Sequence, residues 1–424
     1  MSAHGEALRA NQLAGLAEAI ACVARLDMPA DAALSAFFRA HPAIGQRDRA
    51  MISDGAFAYL RRKRSLEALA GGPAPRRLAL VVAMHELGHS LRDLDAVLRR
   101  DEGAWLAGLK RAPPDDNEAA AVAADVPDWL WQRLGDVYGE EERAALTRSW
   151  QAGAPFDLRV NPAKATREEA QAALAAAGIV AAPTPYAPLG LRIHGRPALA
   201  GHPWIADGRL EVQDEGSQLI GHLVAPRRAD MVVDFCAGAG GKTLLLGALM
   251  RSQGRLYAFD VAAKRLANFA PRLARSGLSN VHPQLIVHER DARVKRLAGK
   301  IDRVLVDAPC TGFGTLRRNP DLKWRQQPSD VVELAAKQAR ILAAAATLVK
   351  AGGRLVYATC SVLPEENDAI VDGFLAEHPH FAAKDAAAEL ARVGIALDTG
   401  PRLRLFSHRH GCDGFFAAVL ERAR

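Results

Sequence analysis

A regular alternation of short apolar runs and amphipathic segments, which begins after Gln213, constrains the fold more than any other feature of this sequence. Four of the runs, MVVDFCA, RLYAFDV, IDRVLVDAP and RLVYATC, are typical of buried strands, and helix-like segments follow them. Such alternation predicts an α/β protein with a doubly wound parallel sheet. Ligands of these sheets bind at the carboxyl ends of the strands, so the residues directly after each strand are candidate site residues.

Other elements of this region follow from the same patterns. A strand is expected around residues 284–287, and GFFAAVLER is expected to close the sheet as its last strand. The predicted helices cover 243–250, 263–275, 331–349 and 365–377.

The N-terminal part of the chain is predicted to be helical. Between residues 7 and 110, apolar residues recur at spacings of three and four, as at Leu13, Leu16 and Ile20. The expected breaks are at Met28-Pro29, His41-Pro42 and Gly71-Gly72-Pro73. Residues 111–128, which include Pro113 and Pro114, are predicted to form a loop or linker, and 129–150 a further helix.

A small mixed segment is expected between the two regions. Leu158-Arg159-Val160 is typical of a short strand, and Thr166 is a predicted N-cap for a helix over 166–177. We therefore divide the chain into a helical domain (1–150), a small mixed α+β segment (151–212) and the α/β domain (213–424).

Composition limits the class of protein and its compartment. No apolar run approaches the ~20 residues needed to span a bilayer, and no secretory signal precedes the helices. Five cysteines in 424 residues do not make a disulfide framework, which predicts a reducing, cytoplasmic location. Lys and Arg outnumber Asp and Glu by 55 to 48, a mild indication of a polyanionic partner.

A glycine-rich loop follows the first strand of the α/β region. Its small residues let the backbone approach a ligand, and the helix N-terminus that follows presents unpaired N–H groups. A P-loop requires glycine at position 236, which is Cys236, and a dinucleotide fingerprint requires glycine at position 243, which is Thr243. An S-adenosylmethionine loop tolerates this pattern, and a simple tight turn is the structural alternative.

Two aspartates strengthen the cofactor interpretation. Asp260 ends the next strand, where an acidic side chain can accept both ribose hydroxyls, and Asp291 follows the expected third strand. Either aspartate alone is equally compatible with a solvated loop residue.

Two cysteines, Cys310 and Cys360, lie at the carboxyl ends of different strands. A free cysteine is usually a small buried hydrophobe, but two at neighbouring strand ends favour chemistry. Methylation of cytosine at carbon 5 requires a thiolate that adds to carbon 6, an acidic group near the ring nitrogen, and a base that removes the hydrogen from carbon 5. The sequence offers candidates for the thiolate, the acidic group and the S-adenosylmethionine site.

At these residues the chain resembles the Sun or RsmB-like family of S-adenosylmethionine-dependent RNA 5-methylcytosine methyltransferases. The matching segments are DFCAGAGGKT, DAPCTGFGTLRRNPDLKW, TCSVLPEEN, HGCDGFFAAVLER, Arg159-Val160-Asn161 and QDEGSQ at 213–218. The resemblance covers the chain from about residue 156 to its end and implies a Rossmann-like methyltransferase sheet. The N-terminal helices resemble the NusB-like RNA-binding domain of bacterial members.

The resemblance also implies roles for individual residues. Cys360 resembles the nucleophile, Cys310 the second cysteine that assists release of the methylated RNA, and Asp307 the aspartate near the target base and the cofactor. The residues that resemble cofactor contacts are Cys236, Ala237, Gly238, Ala239, Gly240, Gly241, Lys242, Asp260, Asp291 and Asp307.

Two details of the motifs qualify the resemblance. The family loop is commonly Cys-Ala-Ala-Pro-Gly-Gly-Lys, whereas this chain has Gly238 and Ala239 in place of Ala-Pro, which is expected to loosen the loop. DNA cytosine methyltransferases take their nucleophile from a Pro-Cys motif, and the Thr-Cys motif at Cys360 favours the RNA family by resemblance.

One motif points to another class of protein. His85-Glu86-Leu87-Gly88-His89 matches the zinc-protease pattern and would place both histidines on one helical face. A third ligand is required, and Arg92 and Asp95 stand where the extended motif has Gly and His. Glu102 or Glu118 remains a candidate ligand, but two ordinary helix histidines are the simpler interpretation, and we expect no metal.

Basic residues suggest where RNA binds. Arg61–Arg64 form a run on a predicted helix, and Arg317, Arg318, Lys323 and Arg325 surround Trp324 after the Cys310 motif. Phosphate contacts and base stacking are expected at the second group, whereas a solvated face is the more common meaning of such runs.

The sequence therefore predicts a methyltransferase that acts on carbon 5 of a cytosine in RNA, in particular ribosomal RNA, with S-adenosylmethionine as cofactor. The cytosine is expected to be single-stranded or flipped. No membrane and no obligate protein partner are predicted, and a monomer is expected. The alternative is an RNA-binding or assembly factor with a degenerate cofactor site, against which the cysteine pair argues.

Overall fold

The computed structural model describes residues 7–111, 120–195, 197, 199 and 201–424. These residues form two compact units. One contains the described residues up to Gly153 together with Thr315–Gln327, and the other contains Ala154–Gly314 and Pro328–Arg424. The small mixed segment and the α/β region thus fall in one unit, and the domain bounds at residues 150 and 212 stay a prediction.

The first unit is helical, as the spacing of apolar residues predicts. Its helices are α1 (Ala10–Ala24), α2 (Ala30–Ala40), α3 (Gln46–Arg61), α4 (Lys63–Ala70), α5 (Pro75–His85), α6 (Leu91–Leu94), α7 (Glu102–Arg111), α8 (Ala120–Ala123) and α9 (Asp128–Trp150), with a 3₁₀ turn at Asp95–Val97. Helix α1 buries Leu13, Leu16 and Ile20 in the core of the unit. Pro113, Pro114 and Glu118 lie outside the described residues.

The helix ends confirm the predicted breaks. Pro29 directly precedes α2 and His41 follows it, while Gly71 ends α4 with a φ of +69°. Left-handed backbone of this kind favours glycine because it has no Cβ. Gly139, with a φ of +76°, interrupts α9 in the same way.

The second unit begins with a small antiparallel sheet in the order β2-β3-β1-β4. Its elements are β1 (Phe156–Val160), α10 (Arg167–Ala176), β2 (Ala181–Pro183), β3 (Gly190–Ile193), α11 (Pro203–Ala206) and β4 (Leu210–Val212). The predicted cap of α10 is confirmed, because the Thr166 hydroxyl accepts a hydrogen bond from the Glu169 N–H while the Glu169 carboxylate accepts one from the Thr166 N–H.

The large sheet confirms the predicted doubly wound, Rossmann-like architecture. Its strands are β5 (Met231–Asp234), β6 (Arg255–Asp260), β7 (Val281–Leu285), β8 (Ile301–Asp307), β9 (Val349–Thr359), β10 (Phe381–Lys384), β11 (Leu403–Leu405) and β12 (Phe415–Arg422). The order is β10-β12-β9-β8-β5-β6-β7, with β11 paired to β12. Apolar side chains of the central strands fill the core on both faces.

Helices of the second unit connect or flank these strands. They are α12 (Glu215–Val224), α13 (Gly241–Leu249), α14 (Ala263–Ser276), α15 (Ala292–Lys295), α17 (Pro328–Ala346), α18 (Asp368–Glu377), α19 (Ala386–Ala391) and α20 (Ser407–His410). Strand β5 lies between β6 and β8, so the direction of winding reverses there. This switch point places the loops after β5 and β8 beside each other, where such sheets bind ligands.

Several sequence predictions need correction. The neighbouring strands β9, β8, β5, β6 and β7 run parallel, as predicted. The last strand, β12, is antiparallel to β9, so it does not belong to the expected parallel set. It pairs with nearby β11 in the antiparallel manner that short connections impose. Strand β7 begins at Val281, earlier than predicted, because an edge strand tolerates Pro283.

Two predicted helix ends are also wrong. The helix predicted to end at Val349 ends at Ala346, because Val349 pairs with Ile301 in the sheet. The helix predicted from residue 365 begins at Asp368, since Glu366 is used in a loop.

The segment Thr315–Gln327 packs within the helical unit and contains α16 (Leu322–Arg325). The Trp324 indole N–H donates to the Leu60 carbonyl at 2.7 Å, and Lys323 Nζ donates to the Arg61 carbonyl at 2.8 Å. Lys323 is fully buried and Arg317 nearly so. The expectation that Lys323 contacts an RNA phosphate is therefore wrong, because its ammonium is buried and donates to a main-chain carbonyl.

The Arg61–Arg64 run is likewise engaged within the helical unit. Its side chains contact the Arg317 carbonyl, Glu86, Glu67 and Asp128, in sequence order. Each side chain of the run thus has a partner within the unit, and both a solvated face and phosphate binding stay predictions.

Burial of Lys323 predicts a pH-dependent stability. Desolvation lowers the pKa of Lys323 from its ordinary 10.5 to about 7. Between these pH values the unfolded chain binds this proton more tightly than the folded one, so the Lys323 contribution to stability rises with pH. The free-energy difference between the wild type and Lys323→Met should therefore grow in favour of the wild type from pH 6 to pH 9. Urea unfolding followed by tryptophan fluorescence measures it, with exposed Lys300→Met as the control. A difference that is equal at both pH values would contradict the burial argument.

Candidate active site

The glycine-rich loop connects β5 to α13 at the switch point of the sheet. Its backbone is tied to both neighbouring strands, since the Phe235 N–H donates to the Leu305 carbonyl and the Ala237 N–H to the Phe259 carbonyl, each at 2.8 Å. The loop then closes on itself through a hydrogen bond from the Gly240 N–H to the Ala237 carbonyl. It is thus held in place by main-chain bonds before any side chain contributes.

Two glycines of this loop have different reasons to be glycine. Gly240 has a φ of +82°, and a Cβ there would lie 2.0 Å from the ring of buried Phe269. Gly238 has a φ of +56°, but a Cβ there would meet no atom within 4 Å. Gly240 is therefore required by packing, whereas Gly238 leaves open space against which a ligand can lie.

Two arginines hold carbonyls of the loop that lacks the family proline. Arg272 Nη1 donates to the Ala239 carbonyl and Arg159 Nη1 to the Gly241 carbonyl, both at 2.7 Å. Arg272 also pairs with Glu211 of the small sheet. These contacts oppose the loosening that the Gly238-Ala239 sequence predicts. Arg272 stands outside every matched motif, so no local pattern indicates this role.

Acidic groups beneath and beside the loop have distinct environments. Asp234 at the end of β5 is buried and accepts from the Thr243 hydroxyl at 2.7 Å, and burial raises its pKa to about 7. Asp307 at the end of β8 pairs with Lys242, whose Nζ lies 2.7 Å from its carboxylate. Burial alone lowers the pKa of Lys242, but the Asp307 carboxylate outweighs this effect and raises it. Lys242 therefore remains an ammonium beside Asp307.

The two aspartates that resemble cofactor contacts, Asp260 and Asp291, lie at the end of β6 and after β7. Asp260 accepts from the Gly238 N–H at 2.8 Å and from the Ala262 N–H at 2.7 Å, which fixes its carboxylate against the loop. Asp291 accepts from the N–H groups of Arg293 and Val287, and these bonds lower its pKa. Three exposed apolar side chains flank these positions, at Val261, Leu285 and Val287.

Cys310 and Cys360 are brought together, as their positions at strand ends predict. Their sulfur atoms lie 3.4 Å apart, within hydrogen-bonding reach. The hydrogen bond with Cys360, followed by burial, raises the pKa of Cys310 well above its ordinary value. Cys360 in turn contributes to the raised pKa of Lys242, so the ammonium interacts with this sulfur. Burial, with the nearby carboxylates of Asp234, Asp307 and Asp260, also raises the pKa of Cys236.

The His85–His89 motif does not have the geometry that the sequence suggests. Helix α5 ends at His85, and Gly88 has a φ of +79°, so the two histidines do not share a helical face. Glu86 pairs with Arg62 and Glu102 with Arg76. Among the described residues, which exclude Glu118, no group of three or more His, Cys, Asp or Glu side chains is placed to hold a metal ion.

Comparison with known proteins identifies the family. The family model for 16S rRNA methyltransferase RsmB/F matches residues 222–421, and that for the ferredoxin-like domain of RsmF/B-like methyltransferases matches residues 126–199. The probable ribosomal RNA small subunit methyltransferase B of Synechocystis is 31% identical over 94% of this chain and 96% of its own length. The chain belongs to the RsmB/F family of rRNA methyltransferases.

Solved structures agree with this assignment. The crystal structure of PH0851 has a TM-score of 0.80 and 25% identity, and the match covers 98% of this chain and 99% of that one. The structure of NSun6 from Pyrococcus horikoshii with SFG shares the fold, with a TM-score of 0.63 and 20% identity over 70% of this chain and 98% of that one. None of the helices in the described part of this chain is long and apolar enough to cross a bilayer.

An RsmB/F methyltransferase uses S-adenosylmethionine, and the residues after β5 and β6 fit this cofactor. Gly238 leaves space for close backbone approach, and the N-terminus of α13 directly follows the loop. The carboxylate of Asp260 is fixed on the other side of Gly238, where it retains lone pairs for ribose hydroxyls.

The two loop glycines make a matched test of the site geometry. Gly240→Ala combines left-handed backbone with a clash against Phe269 and should destabilise the catalytic unit by about 2–5 kcal/mol. Gly238→Ala meets no atom and should cost only about 1–2 kcal/mol of backbone strain. Denaturant unfolding of both variants measures the difference. Equal losses would show that Phe269 does not pack against the loop as described.

Proposed function

We propose that this rRNA methyltransferase transfers the methyl group to carbon 5 of a cytosine through a covalent adduct with Cys360. The observation that supports this proposal most directly is the pair of thiols, 3.4 Å apart at the carboxyl edge of the sheet. The Lys242–Asp307 pair at the neighbouring strand ends supplies the charged groups that the reaction requires.

Cytosine explains why a thiolate is needed. Carbon 5 of cytosine is a poor nucleophile, and addition of the Cys360 thiolate to carbon 6 makes it electron-rich. The Lys242 ammonium lies close enough to Cys360 for the two groups to interact electrostatically. We assign to Asp307 the contact with the ring-nitrogen edge of the base. When bound, S-adenosylmethionine supplies an electrophilic methylsulfonium group.

Cys310 has the properties of the second thiol. Its hydrogen bond with Cys360 is the main cause of its raised pKa, so it remains protonated while Cys360 attacks. Once Cys360 is bound to carbon 6 as a neutral thioether, that cause is weakened and Cys310 loses its proton more easily. Its thiolate then takes the hydrogen of carbon 5 as a proton, the 5,6 double bond re-forms, and Cys360 leaves.

The loop and strand ends around Asp260 are assigned to the cofactor. Asp260 binds the ribose hydroxyls, and the exposed apolar group of Val261, Leu285 and Val287 offers a surface to the adenine ring. Asp291 holds the loop after β7 through its backbone bonds and lies at the edge of the same site. The contacts along the loop are those of Cys236, Ala237, Gly238, Ala239, Gly240, Gly241 and Lys242.

Ribosomal RNA of the small subunit is the proposed substrate, because both the family description and the Synechocystis relative name it. A target base must leave its helix to reach the strand ends, so we expect a single-stranded or flipped cytosine. We assign general RNA binding to the helical unit at residues other than Lys323.

The cysteines should separate into two steps. Cys310→Ala should accumulate a denaturant-resistant protein–RNA complex, because the adduct forms but its carbon 5 proton is not removed. Cys360→Ala and the double variant should form none and should lose methylation. Incubation with S-adenosylmethionine and small-subunit rRNA from a deletion strain, followed by denaturing electrophoresis, tests this. A complex from Cys360→Ala alone would exchange the roles of the two cysteines. Full turnover by both single variants would contradict the covalent mechanism for this methyltransferase.

The ribose contact can be tested with paired ligands. Asp260→Asn should weaken S-adenosylmethionine binding by about 1.5–3 kcal/mol, the range for hydrogen bonds to a charged group. Calorimetry with S-adenosylhomocysteine and its 2′,3′-dideoxy analogue separates the ribose bonds from loop disturbance. The wild type should prefer the hydroxylated ligand strongly, and the variant should lose that preference. An undiminished preference in the variant would remove Asp260 from the ribose site.

A further inference from the structure

A buried carboxylate joins the two loops that carry the cysteines. Glu366 is completely buried and accepts hydrogen bonds from the Thr311 N–H at 2.9 Å and the Thr311 hydroxyl at 2.6 Å. It also accepts from the Ser361 hydroxyl. Thr311 directly follows Cys310, and Ser361 directly follows Cys360. One side chain therefore contacts the residue after each sulfur.

A fourth donor completes the bonding around Cys310. Gln338 of α17 donates to Glu366 at 3.0 Å and to the Pro309 carbonyl at 2.9 Å. The residues before and after Cys310 are thus both held, through Gln338 and Glu366. Four donors converge on this one carboxylate. An ionised carboxylate accepts four hydrogen bonds better than a neutral group does.

Asn367, which follows Glu366 in the chain, holds the residues on either side of Cys360 in a similar way. The Thr359 hydroxyl donates to the Asn367 side-chain carbonyl at 2.5 Å, and the Asn367 amide donates to the Ser361 carbonyl at 3.0 Å. The residues before and after Cys360 are therefore held by Asn367. Strand pairing ends at Asp307 and Thr359, and two backbone bonds follow it, from the Ala308 N–H to the Ala358 carbonyl and from the Gly314 N–H to the Cys360 carbonyl. The side chains of Glu366, Gln338 and Asn367 add to these bonds in fixing the geometry of the two loops.

We propose that Glu366 is a positioning residue that holds the Cys310 and Cys360 loops at the separation needed for one thiol to act on the adduct of the other. This inference rests on the proposed covalent function. It adds a role for a group that cannot touch RNA or cofactor, since it is buried beneath both loops. The negative charge of Glu366 also contributes to the raised pKa of Cys310.

Two conservative variants distinguish the effect of the length of the Glu366 side chain from the effect of its charge. Glu366→Asp keeps the charge but is one methylene shorter, so it cannot hold Thr311 and Ser361 together. Glu366→Gln keeps the length but removes the charge. The same two changes at Glu377, which is exposed on α18, are matched controls. Thermal unfolding establishes that each variant is folded, and Thr311→Val replaces any Glu366 variant that is not.

The probe of thiol separation is phenylarsine oxide, which condenses with two adjacent thiols to form two As–S bonds and one water. Its binding needs neither RNA nor cofactor. Glu366→Asp should bind it about tenfold or more weakly than the wild type, because the second thiol no longer lies at the right distance. Its kcat should fall about a hundredfold with little change in the KM for RNA, as expected when reacting groups are displaced.

The effect of the Glu366 charge on Cys310 is measured through the pH dependence of the reaction of Cys310 with iodoacetamide. Mass spectrometry of the peptide that contains Cys310 follows this reaction. The profile should move to lower pH in Glu366→Gln, where the negative charge is lost. It should also move to lower pH in Glu366→Asp, because separation of the two sulfur atoms weakens the hydrogen bond that is the main cause of the raised pKa of Cys310. Arsenical binding by folded Glu366→Asp equal to that of the wild type would overturn the proposal, whatever the activity. Weakened binding with unchanged kcat would instead contradict the proposed covalent function, because the thiol pair would be disrupted without consequence.

Discussion

Parallel pairing between β8 and β9 is the constraint on which the rest of the site depends. The register places Asp307 opposite Ala358, so the two strands end almost level and both chains enter loops at the same edge of the sheet. Cys310 and Cys360 follow within a few residues, and their sulfurs meet there. Because β5 pairs with the other side of β8, the glycine-rich loop and Lys242 reach the same edge. A slip in this register would separate the thiols from each other and from the ammonium.

In the proposed mechanism, Cys310 and Cys360 have different roles because their environments differ. Cys310 is kept protonated by its bond to Cys360 and by burial, while Cys360 interacts with the Lys242 ammonium. In the proposed mechanism, a covalent bond at Cys360 would weaken the first of these effects, so the first step would prepare Cys310 for the next.

Much of this arrangement could be predicted from sequence, because strand–helix alternation fixes which residues follow strands. That reasoning located Asp260, Asp307 and the two cysteines, and capping chemistry located Thr166. It failed where the outcome depends on tertiary burial. Lys323 has the residue type of an RNA contact but lies in the interior, and the helix carrying His85 ends before His89. Arg272 and Glu366 act through partners distant in sequence, which no local pattern reveals.

The central feature of the proposed mechanism is that the Cys360 sulfur, and not the Cys310 sulfur, carries the RNA. Nuclease digestion of trapped Cys310→Ala complex, followed by trypsin and mass spectrometry, identifies the modified peptide. The proposed covalent mechanism predicts a methylated cytidine nucleotide on the peptide spanning residues 355–384, which contains Cys360. A nucleotide found instead on the Cys310 peptide of Cys360→Ala, with none on Cys360 in any variant, would contradict it.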